Sequence, residues 1–72
     1  MRRFILFLIR KRLGLKKYEH FRFSNQRDKT DTYYFGEIYL WKRSVGEIDI
    51  KSHVSLNWIL DDECEIEKVG EL

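Results

Sequence analysis

Apolar and polar side chains alternate from residue 47 to residue 60, and this pattern constrains the fold more than any other feature of the chain. Six of the seven even positions are apolar, with Ser52 as the exception, and the odd positions are polar except Ile59. A period of two is typical of a β-strand that has one face on a core and one face in water. We therefore predict one strand over residues 47–60. The alternative is a short helix over residues 55–62, which we reject because the alternation is unbroken and because two aspartates would lie at the unfavourable C-terminal end of that helix.

A second strand is predicted over residues 32–42, joined to the first by residues 43–46. Each of the two strands has one polar residue on its otherwise apolar face, Glu37 in the second strand and Ser52 in the first. In a hairpin that places Glu37 opposite Ser52, these two polar residues meet, and the aromatic and aliphatic side chains of both strands share one face. Gly36, inside this strand, is interpreted as a bulge or as a position of close backbone approach.

Two shorter segments complete the predicted sheet. Phe21 and Phe23 flank a polar position in a strand over residues 20–24, and an acidic turn at residues 61–63 leads into a last strand over residues 64–69. The expected core lies on one face of these strands, under apolar residues of the N-terminal segment: Tyr33, Phe35, Tyr39, Trp41, Ile48, Ile50, Val54, Leu56, Trp58, Leu60, Cys64 and Ile66.

The N-terminal segment predicts a helix over residues 2–13. Gly14 lies where a glycine commonly ends a helix, and residues 10–12 are basic, which suits the last turn. Its apolar run is too short for a signal peptide or a membrane span, and apolar residues occur almost all round it, so one side should pack on the sheet. The sequence thus predicts a single α+β domain over residues 1–72, with one N-terminal helix packed on a small antiparallel β-meander of three to four strands.

Opposite charges segregate along the chain. Residues 1–30 carry ten Lys and Arg against two acidic residues, and residues 31–72 carry four against ten. Either the two halves neutralise each other, or the basic half meets an anionic partner such as phosphate, anionic lipid or an acidic protein surface. The candidate binding residues are eight of the ten cations in residues 1–30: Arg2, Arg3, Arg10, Lys11, Arg12, Lys16, Lys17 and Arg22.

No constellation of residues predicts a catalytic, metal or cofactor site. Cys64 is the only cysteine, so the chain cannot form an internal disulfide, and a reducing cytoplasm is the expected compartment. The predicted sheet directs Cys64 to the core and His53 to water, which separates a nucleophile from a base. Two dispersed histidines, His20 and His53, do not supply a metal-ligand set. We expect a non-enzymatic protein without a cofactor.

Three binding functions remain. The first is a small protein-binding module, of the type with which phages and mobile elements inhibit a host nucleic-acid-handling (defence) complex, because Tyr, Trp and Arg anchor many interfaces. The second is direct RNA or DNA binding through the basic N-terminal helix and Arg22. The third is peripheral membrane association through residues 4–9 and the flanking cations. We expect a protein partner ahead of nucleic acid, and nucleic acid ahead of a membrane surface.

Overall fold

The computed structural model of the chain describes residues 2–70, the side chain of Arg2 excepted. A five-stranded antiparallel sheet has the order β4-β3-β2-β1-β5. The α+β class and the N-terminal helix are confirmed, and the sheet has five strands where three to four were predicted. The elements in chain order are α1 (Arg2–Arg12), β1 (His20–Phe23), β2 (Thr32–Phe35), β3 (Leu40–Arg43), β4 (Ile50–Lys51), α2 (Leu56–Leu60) and β5 (Ile66–Gly70).

Helix α1 ends where its sequence predicts. Gly14 adopts a left-handed conformation with φ +73°. Its N–H donates to the carbonyl of Lys11, and the Leu15 N–H donates to the carbonyl of Arg10. These two bonds form a Schellman motif, which satisfies carbonyls that the last helical turn would otherwise leave without partners. The Arg10 guanidinium also donates to the Leu15 carbonyl at 2.9 Å, so the helix end is fixed by its own side chain as well.

The predicted single strand over residues 32–42 is wrong, because the chain turns back at residues 36–39 and forms two strands. Phe35 pairs with Leu40, and the Gly36 N–H donates to the Tyr39 carbonyl inside the turn. A Cβ at Gly36 would lie 2.8 Å from Nε1 of Trp41. The interpretation of Gly36 as a strand bulge or a position of close backbone approach is wrong, because Gly36 lies in the turn and what approaches it is the indole side chain of Trp41.

The predicted strand over residues 47–60 is also wrong. Only Ile50–Lys51 pair as a strand, and residues 56–60 form the short helix that the alternation argued against. Ser55 caps this helix, since its side-chain oxygen accepts a hydrogen bond from the Asn57 N–H. The objection from two C-terminal aspartates fails because Asp61 and Asp62 are both exposed to water, where a charge at a helix end changes stability by only about 0.3–1 kcal/mol.

The predicted hairpin register is wrong as well. Lys42 pairs with Ile50 and Trp41 pairs with Lys51, so the strands are displaced by three residues from the register that placed Glu37 opposite Ser52. An odd displacement moves every side chain to the other face of the sheet. The connection between the strands is longer than the predicted residues 43–46, because a turn closed by the Glu47 N–H and the Ser44 carbonyl is followed by two further residues before β4.

These changes redistribute the core. Of the twelve predicted core residues, Tyr33 and Phe35 are buried, whereas Ile48, Ile50 and Trp58 are 84%, 48% and 51% exposed. Val54, Leu56, Cys64 and Ile66 pack partly against the core, and Tyr39, Trp41 and Leu60 are half-buried. The buried hydrophobic cluster comes from α1, the three central strands, α2 and the loop after α1: Leu6, Leu15, Phe21, Phe23, Tyr33, Phe35, Leu40 and Ile59.

Candidate binding surface

Helix α1 has two apolar faces, and the core uses only one of them. Leu6 is buried in the core cluster, and Ile9 and Leu13 pack against it. These residues are spaced by three and four positions and therefore lie on one side of the helix. The rest of the apolar surface of this helix, here called the exposed apolar face, consists of four residues that are 44–63% exposed: Phe4, Ile5, Phe7 and Leu8.

The exposed apolar face follows directly from the sequence of α1. Every residue from 4 to 9 is apolar, but one helix resting on one sheet can bury only a single stripe of these side chains. The described part of the chain has no second layer over α1, so the other stripe contacts water. A contiguous apolar patch of this kind on a small protein commonly marks an interaction site.

Cations continue this surface towards the C-terminal end of α1. The Lys11 Nζ lies 5.7 Å from the ring centroid of Phe7, and the guanidinium carbon of Arg10 lies 5.5 Å from it. Arg12 and Lys16 are exposed. Lys11, Arg12 and Lys16 form no ion pair within residues 3–70. We refer to these three residues as the unpaired cations.

Three of the remaining candidate cations are neutralised locally, whereas Arg10 has no acidic partner among the described residues. The Arg3 Nε lies 3.9 Å from a carboxylate oxygen of Glu37, and Lys17 donates a hydrogen bond to the other oxygen. The hydrogen bond and charge of Lys17, together with the charge of Arg3, hold the pKa of Glu37 below its usual value. Arg22, on β1, pairs with Glu67 at 3.6 Å, and its Nε is buried without a partner among the described residues. The structure describes the side chains of seven of the eight candidate binding residues, and that of Arg2 lies outside the described part.

The acidic segment of residues 61–65 forms no ion pair with the unpaired cations. Ser24 and Glu65 exchange two hydrogen bonds, which attach the acidic residues 61–65 to the end of β1 at Phe23. The chain enters β1 at the opposite end, His20, directly after the segment that carries Lys16. Because the two charge groups lie at opposite ends of β1, mutual neutralisation of the chain's halves is confined to Glu37 and Glu67 within the described residues.

A polar network lies on the sheet face opposite the core and was not anticipated from the sequence. The His20 Nδ1 lies 2.9 Å from the Thr32 hydroxyl oxygen, and the His20 ring centroid lies 4.5 Å from that of Tyr34. Burial and the charge of Arg43 lower the pKa of His20, while the charge of Asp49 opposes the change. Tyr34 donates a hydrogen bond to Asp49, and burial together with this carboxylate raises the pKa of Tyr34 to about 12.

Residues 2–70 contain no cluster of three metal-ligating side chains. Within the same residues no helix has the length and apolar content that a membrane span requires. Cys64 is partly buried beside the core. The two observations that distinguish this surface are therefore its exposed apolar face and its unpaired cations.

The chain matches no protein-family model, no curated protein and no solved structure at a significant level.

Proposed function

We propose that this protein is a non-enzymatic peripheral membrane protein that binds anionic lipid surfaces through α1. The observation that carries the proposal is the joint presence, on one helix, of the exposed apolar face and of cations without acidic partners. A lipid interface provides acyl chains for apolar side chains and headgroup phosphates for cations on the same surface.

The magnitudes are those of a reversible interaction. Fully burying one large apolar side chain contributes about 1.5–3 kcal/mol, so four side chains that are roughly half exposed contribute about 3–6 kcal/mol. Each cation near an anionic surface adds about 1 kcal/mol, or roughly 3 kcal/mol for Lys11, Arg12 and Lys16. At least half of this energy therefore depends on the apolar residues, and the cations select for negatively charged lipid.

Other binding partners would contact only part of this surface or would bind it at an electrostatic cost. Nucleic acid would neutralise the cations but would leave Phe4 and its apolar neighbours in water. A second copy of the chain would bring two sets of unpaired cations together, at an electrostatic cost. A protein partner, the first expectation from the sequence, would need an apolar groove with an acidic rim, and this alternative stays a prediction that the following experiment separates. We place the protein on the cytoplasmic leaflet, because that leaflet carries anionic lipid.

The test is co-sedimentation with vesicles of phosphatidylcholine that contain phosphatidylglycerol, compared with vesicles of phosphatidylcholine alone. Replacing Phe4 and Leu8 by Ser should weaken binding by about tenfold to a hundredfold, because two half-exposed side chains no longer enter the interface. Replacing Arg12 or Lys16 by Gln should weaken it by about fivefold each.

The matched control replaces Val45 and Ile48 by Ser. These residues are 83% and 84% exposed, more than any residue of the exposed apolar face, but they lie in the loop between β3 and β4. The control should bind as the wild type does. The proposal fails if the wild type does not bind the anionic vesicles, or if the control and the α1 variant lose binding equally. A wild type that ignores vesicles but forms a stable complex lost in the α1 variant would support the protein-partner alternative.

A further inference from the structure

A cavity of about 500 Å³ opens on the core side of the sheet, away from α1, between the end of the sheet at β4 and the short helix α2. Tyr33, Lys42 and Ile50 lie in one row across β2, β3 and β4, so their side chains point to the same face and line it together. Phe23 and Val54 complete its apolar floor. The volume lies within the range of small-molecule sites.

Two cations, Arg27 and Lys42, line the rim of this cavity. None of its described lining residues is acidic, whereas Asp28, Asp31 and Glu47 share the adjoining pocket with these two cations. Arg27 and Lys42 form no ion pair within the described residues. Lys51 also lines the cavity, but its ammonium lies 4.5 Å from the ring centroid of Tyr39, and we do not count it among the cations that face inward.

Trp58, on α2, contributes an aromatic ring to the lining of this cavity. Its residue is 51% exposed, and its indole makes no ring or cation contact within the described part of the chain. The backbone that carries it is fixed, because the neighbouring Ile59 is buried in the core and the Trp58 carbonyl accepts a hydrogen bond from Asn25 at 3.2 Å. A held but uncovered indole is suited to stacking on a second aromatic ring.

We propose that this cavity binds a nucleotide unit, with the base stacked on Trp58 and the phosphate between Arg27 and Lys42. A nucleotide satisfies both features, since a base offers a π-face to any aromatic platform and a phosphate accepts charge-assisted hydrogen bonds from Arg and Lys. The same chemistry is presented by a free nucleotide and by a single strand of nucleic acid. The inference concerns surfaces other than α1 and does not depend on lipid binding.

The experiment measures binding of a fluorescently labelled single-stranded oligothymidylate by anisotropy, without lipid and at several salt concentrations, with adenosine monophosphate as competitor. Trp58→Ala should weaken binding by about tenfold or more, in line with the loss of one base–aromatic stack. Lys42→Gln and Arg27→Gln should each reduce the log–log salt slope by about 0.7, the value for one phosphate contact on a single strand.

Arg43→Gln is the matched control, because Arg43 follows Lys42 on β3 and faces the other side of the sheet. It should leave the affinity near that of the wild type. Trp58→Phe, which keeps a stacking ring, should bind between the wild type and Trp58→Ala, and thermal melts identify any variant that fails to fold.

Displacement of the oligonucleotide by adenosine monophosphate assigns the site to free nucleotides, and its absence assigns the site to single strands. The proposal is overturned if neither probe binds at low salt. It is also overturned if binding is unchanged in Trp58→Ala and Lys42→Gln but falls in Arg12→Gln, because the oligonucleotide would then lie on α1.

Discussion

Ile59 distinguishes the observed fold from the alternating strand that its sequence suggests. In the alternating strand Ile59 would face water, whereas Ile48 and Ile50 would lie in the core. In the structure Ile59 is 1% exposed, and Ile48 is 84% exposed. Truncating a buried isoleucine to alanine costs about 2–5 kcal/mol, whereas truncating an exposed one costs within about 0.5 kcal/mol. We therefore expect Ile59→Ala to be strongly destabilising and Ile48→Ala to be nearly neutral.

The assay is urea unfolding followed by circular dichroism. A chain of 72 residues has a total stability of about 4–11 kcal/mol, so Ile59→Ala could leave too little folded protein for a two-state fit. Ile59→Val, with an expected loss of about 0.5–1.5 kcal/mol, keeps the comparison measurable. A neutral Ile59→Val together with a large loss in Ile48→Ala or Ile50→Ala would refute the assignment of α2 and restore the alternating strand.

Three further predictions follow from the structure. Folding lowers the pKa of His20 from the value of 6.5 that it has in the unfolded chain. Between the two pKa values the unfolded state binds more protons than the folded state, so the unfolding free energy should fall as the pH drops below about 6.5. His20→Gln should flatten this pH dependence in thermal melts. Spectroscopic titration should show one tyrosine ionising near pH 12, absent in Tyr34→Phe. Gly36→Ala should lower the unfolding free energy by about 1–3 kcal/mol in urea titrations, because its Cβ would meet the Trp41 indole.

Local signals were sufficient for α1 and for the approximate positions of β1 and β5, but not for residues 32–60. The end of α1 depends on Gly14 and Arg10, which act within one turn, so the sequence alone predicts it. In α2 two local signals compete: period-two alternation, and Ser55 as a cap followed by apolar residues at 56, 59 and 60. The second prevails because Ile59 reaches the core, and that contact depends on distant strands.

The candidate surface depends on contacts that form only in the folded chain. The sequence identified the cations, but it could not specify which of them Glu37 would neutralise, because Glu37 meets Arg3 and Lys17 only after the turn at residues 36–39 has formed. It also did not indicate which stripe of α1 would stay exposed. Apolar residues surround that helix, so the choice between stripes is made by packing against the sheet and not by any local preference.

The order of the strands has a consequence for how the chain acquires its structure. Strand β1 is interior only because β5, the last of the described elements, pairs with it at Phe23 and Ile66. Until β5 arrives, one side of β1 offers free backbone groups next to two phenylalanines, a template to which another unfinished chain could pair. The slowest and most concentration-sensitive step of folding should therefore be the docking of β5, and solutions of freshly diluted protein should aggregate most readily before that step.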